Sequence, residues 1–243
     1  MAERSETVAW LVGASGLSGG LLLEALLEAP DFARIYAVTR RPLSREHPRL
    51  ANRIVPFEQL EGQLRGAACT TAFCCLGASR NAAPEEARAV DLECVLAFAR
   101  AAKAAGAGRF VYLSCAGALQ GPRKPGPHLK REAEAALEAL GFASLDILQP
   151  GPLLAVRREL RPADLVLLAA APFVNLASFG ARTPRRSVSA RTVAGAMLGA
   201  ARTGRRGVYR YTYSAIRTLA GAKYRASPVR TNAPGSVSRR PPA

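Results

Sequence analysis

The sequence predicts an α/β fold: a doubly wound, Rossmann-type parallel sheet with helices on both faces, completed by a small C-terminal segment. Three observations carry that expectation. Apolar runs of strand length alternate with helical patterns from residue 7 to about residue 150. These runs are continuously apolar rather than alternating, as expected of parallel strands covered on both faces. The first of them, Thr7–Val12, passes straight into Gly13-Ala14-Ser15-Gly16-Leu17-Ser18-Gly19 and then into a helical pattern set by Leu21, Leu22, Leu23, Leu26 and Leu27.

The second strand is expected at Arg34–Thr39, stopped by Arg40-Arg41-Pro42. Residues 43–52 read as loop, Arg53–Phe57 as a short third strand and Glu58–Leu64 as a short helix. Thr70–Leu76 makes a fourth strand that ends at Gly77. A long helix follows from about Pro84 to Ala105, with Ala89, Leu92, Val95, Leu96 and Ala99 inward and Gly106 as its stop. Arg109–Ser114 is a fifth strand, His128–Leu140 a helix ended by Gly141, and Leu145–Leu148 opens a sixth strand before Pro150-Gly151-Pro152. Right-handed crossovers give the sheet order 3-2-1-4-5-6. Ser189–Ala201 then reads as a helix and Gly207–Tyr213 as a strand. From Gly221 onward Pro, Ser, Gly and Arg dominate, which predicts a disordered basic tail. The domain plan is a Rossmann unit over 1–152, a segment over 153–220 completing the same domain, and the tail over 221–243.

The 243 residues, 49% of them hydrophobic, suffice for one core of ordinary size. No uninterrupted apolar run reaches membrane-spanning length; the nearest, Leu165–Phe179, contains Pro172 and Asn175. Glu3, Arg4 and Glu6 replace the apolar block of a signal peptide, so export is not expected. Cysteines 69, 74, 75, 94 and 115 show no Cys-x-x-Cys spacing, and His47 and His128 are the two histidines. That pattern offers neither a disulfide framework nor a metal site, and small buried thiols suit a reducing, cytoplasmic setting. The formal charge is +16, yet residues 1–150 are nearly balanced and the excess lies beyond them, almost all of it arginine. Basic patches bind phosphates, but no aromatic platform or nucleic-acid motif accompanies those arginines, so nucleic acid or an anionic membrane is not the expected partner.

The glycine turn has a definite chemistry. Gly13 permits the sharp turn off the strand, Gly16 lets the backbone approach phosphate oxygens, and Gly19 lets the helix lie close to the sheet. The first amides of the helix lack internal partners and point at an anion, aided by the helix dipole. A dinucleotide diphosphate is the expected ligand, held by Gly13, Ala14, Ser15, Gly16, Leu17 and Gly19. An NAD site carries an acidic residue at the end of the second strand, but no Asp or Glu occurs between Asp31 and Glu46. Arg40 and Arg41 stand there instead, and guanidinium groups pair well with a 2′-phosphate, so NADP(H) is expected over NAD(H). The strand ends at Thr39–Arg41, Leu76–Arg80, Ser114–Gly117 and Gln149–Pro152 should line the same cleft.

Gly-x-x-Gly-x-x-Gly, the run Phe73-Cys74-Cys75-Leu76-Gly77-Ala78-Ser79-Arg80, Val90-Asp91, Val111-Tyr112-Leu113-Ser114 and Gln149-Pro150-Gly151 together resemble the atypical short-chain dehydrogenase/reductases. Within them the sequence is most similar to the Tat-interacting-protein type of NAD(P)H-binding oxidoreductase. The resemblance implies nucleotide contacts from Leu76, Gly77, Lys130, Pro150 and Gly151. It also implies a catalytic set of Ser or Thr, Tyr, and a Lys four residues after the Tyr. The Tyr exchanges a proton with the substrate oxygen, the Ser hydrogen-bonds that oxygen, and the Lys holds the ribose and lowers the phenol pKa. Ser114 and Lys130 match two of these positions. Gly126 stands where the phenol would be, and the flanking Pro125 and Pro127 are expected to keep that position out of a helix. Tyr112 is expected in the core, and His128 on another helix face than Lys130. The resemblance therefore implies an NADP(H)-dependent oxidoreductase of a small carbonyl or hydroxyl substrate. The alternative is an NADP(H)-binding module read by a protein partner, with monomer and dimer both open.

Overall fold

The computed structural model describes residues 7–56, 59–64, 66–79, 81–116, 125–154 and 187–221. The chain begins β1 (Val8–Val12), α1 (Leu17–Glu28), β2 (Arg34–Thr39), β3 (Leu50–Ile54), α2 (Leu60–Gln63) and β4 (Thr71–Cys74). Helix α3 (Pro84–Arg88) passes through a π-helical turn, Ala89–Glu93, into α4 (Cys94–Ala104). β5 (Arg109–Leu113), α5 (Pro125–Ala139) and β6 (Ser144–Leu148) follow, then β7 (Leu153–Leu154), β8 (Val188–Ser189), α6 (Ala190–Ala201), β9 (Gly207–Tyr211) and α7 (Tyr213–Gly221). Seven parallel strands form one sheet in the order β3-β2-β1-β4-β5-β6-β9, the expected doubly wound order with β9 added beside β6. The short pair β7–β8 stands apart from it.

Each face of the sheet carries its own core. Trp10, Phe98, Phe110, Tyr112 and Leu137 belong to one, beneath α4 and α5. Leu11, Leu22, Leu26, Phe73 and Met197 belong to the other, beneath α1 and α6. Every residue of β1 and of β6 is buried; β1 accordingly reads as an unbroken apolar run, while β6 carries Ser144 and Asp146 among its apolar residues. On the second face Asp146, wholly buried, accepts hydrogen bonds from Arg109 at 2.7 Å, Tyr211 at 2.8 Å and Ser144 at 3.0 Å. Arg109 also donates to the carbonyls of Ala200 and Arg205, so this one network ties β9 and the end of α6 to the sheet.

Four expectations are corrected. The third strand is Leu50–Ile54 rather than Arg53–Phe57, because pairing with β2 begins at Ile35 opposite Leu50 and an edge strand needs little apolar signal. Ile54 is 53% exposed, and residues 57 and 58 lie outside the described set. The short helix is a single turn, Leu60–Gln63, within the expected 58–64. Helix α5 begins at Pro125, so position 126 is helical after all; prolines in a first turn lose only amides that have no helical partner. The last strand ends at Tyr211, and α7 runs to Gly221, where the tail was expected to begin. Ile216 of α7 is fully buried, and Ala220 packs against the backbone of Gly195 on α6. The rest of the expected tail, residues 222–243, and most of the segment beyond 152, residues 155–186, lie outside the described residues.

Candidate functional site

The sheet order places β1 between β2 and β4, so the connections leave β1 and β4 in opposite directions and open a crevice at their carboxyl ends. A cleft of about 330 Å³ lies there, within the size range of small-molecule sites. Gly13, Ser15 and Gly16 line it from the first turn, Arg40 and Arg41 from the end of β2, and Leu76 and Gly77 from the end of β4. Seven residues expected at a nucleotide site thus meet in one place. Ala14 is buried beneath the turn, and Leu17, 39% exposed, opens α1.

The backbone explains the glycines. Gly13 has φ +84°, and a Cβ there would stand 2.7 Å from the Cys75 carbonyl carbon. A Cβ on Gly19 would stand 2.0 Å from the Gly13 carbonyl oxygen, which is the close approach of helix to strand expected at this position. Gly16 is the N-cap of α1; it offers no side-chain cap, and the first turn holds no acidic residue. The leading amides of α1 therefore remain available to an anion.

Beyond the cleft, Lys130 on α5 reaches back to the sheet. Its Nζ donates to the Leu76 carbonyl at 3.0 Å, approaches the Leu113 carbonyl at 3.5 Å, and pairs with Asp91 Oδ1 at 3.4 Å. It also lies 5.3 Å from the centre of the Tyr112 ring. Asp91 sits in the π-helical turn, where its Oδ1 also accepts the Ala78 N–H at 3.1 Å. Burial opposes the charge of Lys130, but Tyr112 and the Asp91 carboxylate outweigh it and hold the ammonium above the ordinary lysine range. Burial pushes the Tyr112 phenol up, and this tyrosine is fully buried core, as expected.

Ser114 directly follows β5 and is buried, and its hydroxyl donates to Glu134 Oε1. Glu134, four residues after Lys130 on the same face of α5, also takes Gln149 Nε2 at 3.1 and 2.9 Å and faces Arg210 at 3.7 Å. Gln149 thereby turns its Oε1 the other way, and that buried acceptor has no hydrogen-bond partner among the described residues. Pro150 and Gly151 are buried at the end of β6, with the Pro150 carbonyl accepting the Ala116 N–H at 2.8 Å. Ser114, Lys130, Pro150 and Gly151 thus sit at the β5–β6 side rather than in the cleft, linked to it through Leu76. His128 is exposed on α5; residues 80 and 117 lie outside the described set.

Sequence reasoning missed two residues here. Glu134 was visible only as a charged side chain at helical spacing from Lys130. Asn52, which ties the Arg40–Arg41 turn to β3, gave no signal inside a stretch read as loop. No group of His, Cys, Asp and Glu suited to a metal ion occurs among the described residues, and no helix among them is long and apolar enough to cross a membrane.

No protein-family model matches the chain. It is 34% identical over 160 residues to Protein HTATIP2 of Rattus norvegicus, covering 64% of this chain and 66% of that protein. It is 32% identical over 166 residues to Protein fmp52, mitochondrial, of Aspergillus fumigatus, covering 65% and 71%. With Protein FMP52, mitochondrial, of Saccharomyces cerevisiae the identity is 33% over 155 residues, covering 60% and 66%. The chain thus spans about two thirds of the length of these curated relatives. Among solved structures, a short-chain dehydrogenase from Burkholderia cenocepacia in complex with NADP superposes with TM-score 0.64 at 20% identity, covering 89% of this chain and 92% of that one. The Bordetella bronchiseptica enzyme WbmG in complex with NAD gives 0.64 at 15%, covering 87% and 74%. These last likenesses are of fold. The cytoplasmic setting expected from the sequence is overturned by the fungal relatives, which are named mitochondrial. Free thiols and a charged first stretch do not distinguish the cytosol from another reducing compartment.

Proposed function

The chain belongs to the family of the FMP52 and HTATIP2 proteins, atypical short-chain dehydrogenase/reductases, and from that premise we propose that it is an NADP(H)-dependent oxidoreductase acting on a small carbonyl or hydroxyl compound. The observation that carries this reading is the cleft at the β1–β4 crevice. It joins the uncapped amides of α1 to two arginines, at the strand end where an NAD site would carry an acid.

In this reading Gly13, Ala14, Ser15, Gly16, Leu17 and Gly19 frame the diphosphate, with the leading amides of α1 donating to it. The guanidinium groups of Arg40 and Arg41 hold the 2′-phosphate. Leu76, Gly77, Pro150 and Gly151 bound the nicotinamide end, and Lys130 supplies a fixed positive charge toward the ribose. The nicotinamide, when bound, supplies hydride transfer to or from a carbon of the substrate. The chain's own contribution to the proton is Ser114. Its single hydroxyl hydrogen is committed to Glu134, so its lone pairs remain to accept a hydrogen from a substrate hydroxyl, while its own proton moves to Glu134 Oε1. That route would serve where Gly126 leaves no phenol.

A second reading has one observation in its favour, the missing phenol at Gly126: a catalytically weak NADP(H)-binding module read by a protein partner. Titration calorimetry with NADPH and NADH tests the shared premise. Tighter binding of NADPH is expected, and no heat with either nucleotide would end both readings. Consumption of NADPH with a panel of aldehydes and ketones, lost in Lys130→Ala, then separates the enzyme from the module.

A further inference from the structure

The turn that carries Arg40 and Arg41 is closed by one side chain of the neighbouring edge strand. Asn52 lies opposite Ala37 in the β2–β3 register. Its Nδ2 donates to the Ala37 carbonyl at 2.9 Å and to Thr39 Oγ1 at 2.7 Å. Its Oδ1 accepts the Leu43 N–H at 2.8 Å. Thr39 Oγ1, itself buried, passes its hydrogen to the Arg41 carbonyl at 2.7 Å. Both amide hydrogens and the amide oxygen are engaged. The partners fix the orientation of the group, since a carbonyl can only accept and an N–H can only donate.

The chain between Thr39 and Leu43 is three residues long, Arg40, Arg41 and Pro42. Asn52 holds its start through Thr39, its middle through the Thr39 bond to Arg41, and its end through Leu43. Pro42 further disfavours helical backbone at Arg41. Arg40 and Arg41 are exposed and line the cleft, so their backbone is fixed while their guanidinium groups stay at the surface. Only side-chain rotamers are then left to order when an anion arrives, which lowers the cost of binding it.

We propose that Asn52 is a positioning residue for nucleotide selectivity: by pinning the 40–42 turn to β3, it holds the arginine pair ready for a 2′-phosphate. The inference rests on the NADP(H) reading above and adds a residue that touches no ligand. A nucleotide without the 2′-phosphate gains nothing from the clamp, so Asn52 acts on the preference and not on binding as such.

The test is calorimetric titration of the full chain with 2′,5′-ADP and 5′-AMP, which differ only in the 2′-phosphate, in the wild type and in Asn52→Ala, Thr39→Val and Thr39→Ser. The wild type should prefer 2′,5′-ADP. Asn52→Ala should cut that preference about tenfold while the 5′-AMP affinity stays in place. Thr39→Val, which keeps the side-chain volume but loses the hydroxyl, should move the same way, and Thr39→Ser should retain the preference. A preference left whole in Asn52→Ala and Thr39→Val overturns the clamp while leaving the NADP(H) reading standing. Equal losses for both nucleotides mean a merely structural role and also overturn it. If the wild type shows no preference, the NADP(H) reading falls and takes the clamp with it. Should Asn52→Ala fail to fold, the pair of Thr39 variants decides.

Discussion

Lys130 Nζ and Asp91 Oδ1 form an ion pair 3.4 Å long, with side chains only 13% and 6% exposed. The carboxylate does double duty, since the same oxygen also accepts the Ala78 N–H in the loop after β4. A charge so enclosed is tolerable only with its partner present. Asp91→Ala should therefore lower the unfolding free energy by about 3–5 kcal/mol. Asp91→Asn, which can keep the bond from Ala78 and loses only the charge, should cost less. Urea denaturation of both variants measures the difference, and equal losses would mean that the charge, not the bond to Ala78, is what matters.

Gly19 shows how closely α1 is drawn to the first turn. A methyl group there would lie 2.0 Å from the Gly13 carbonyl oxygen, an atom of backbone that cannot rotate away. Gly19→Ala should push the helix outward at a cost of about 1–3 kcal/mol. It should also misplace the amides that face the cleft. The expected pattern is a lowered denaturation midpoint together with nucleotide binding too weak to detect. Retention of full affinity would show that the helix amides are not the anion site.

How much of this was legible in the sequence depends on what each residue faces. β1, β2 and β4 to β6 lie inside the sheet and are mostly buried, so most of their residues are apolar and the strands could be read from those; Arg109 and Asp146 are admitted because they pair with each other. β3 is half-exposed, and its start was set by pairing with β2, which no single stretch of sequence records. Helix α7 buries one residue fully, Ile216, and a lone isoleucine gives no periodicity. In the site, Gly13, Gly19 and the arginine pair were legible because local backbone geometry and local charge required them. Glu134 and Asn52 were not, since each is defined by partners brought from distant segments: Ser114 and Gln149 in one case, Ala37, Thr39 and Leu43 in the other.

Arg41 offers a charge test of the nucleotide reading. It is exposed at the cleft, and its backbone is held from both sides by the Thr39 and Asn52 bonds, so a change of side chain should leave the turn intact. Arg41→Asp replaces a charge-assisted bond to the 2′-phosphate, worth about 1.5–3 kcal/mol, by repulsion. The ratio of NADPH to NADH affinity should fall by about tenfold or more, with NADH binding unchanged or improved. An unaltered ratio would remove Arg41 from the phosphate site.

The thiols give the pH dependence. Burial pushes Cys69 and Cys74 up from 9.0 to about 12. At pH 8 both should resist a thiol reagent in the folded protein and react fully once urea is added. The folded state therefore keeps these protons where the unfolded chain would release them. Their contribution to stability is whole below about pH 9 and is lost as pH rises toward 12. Tyr112 and Lys130, also raised, pull in the same direction higher up. Between pH 9 and 10.5 the unfolding free energy should fall more steeply in the wild type than in Cys74→Ala, by about 1 kcal/mol per pH unit. The variant starts lower because of the cavity it leaves, so the slopes and not the values carry the comparison. Parallel slopes would mean that Cys74 loses its proton as readily folded as unfolded, which its full burial in the core forbids.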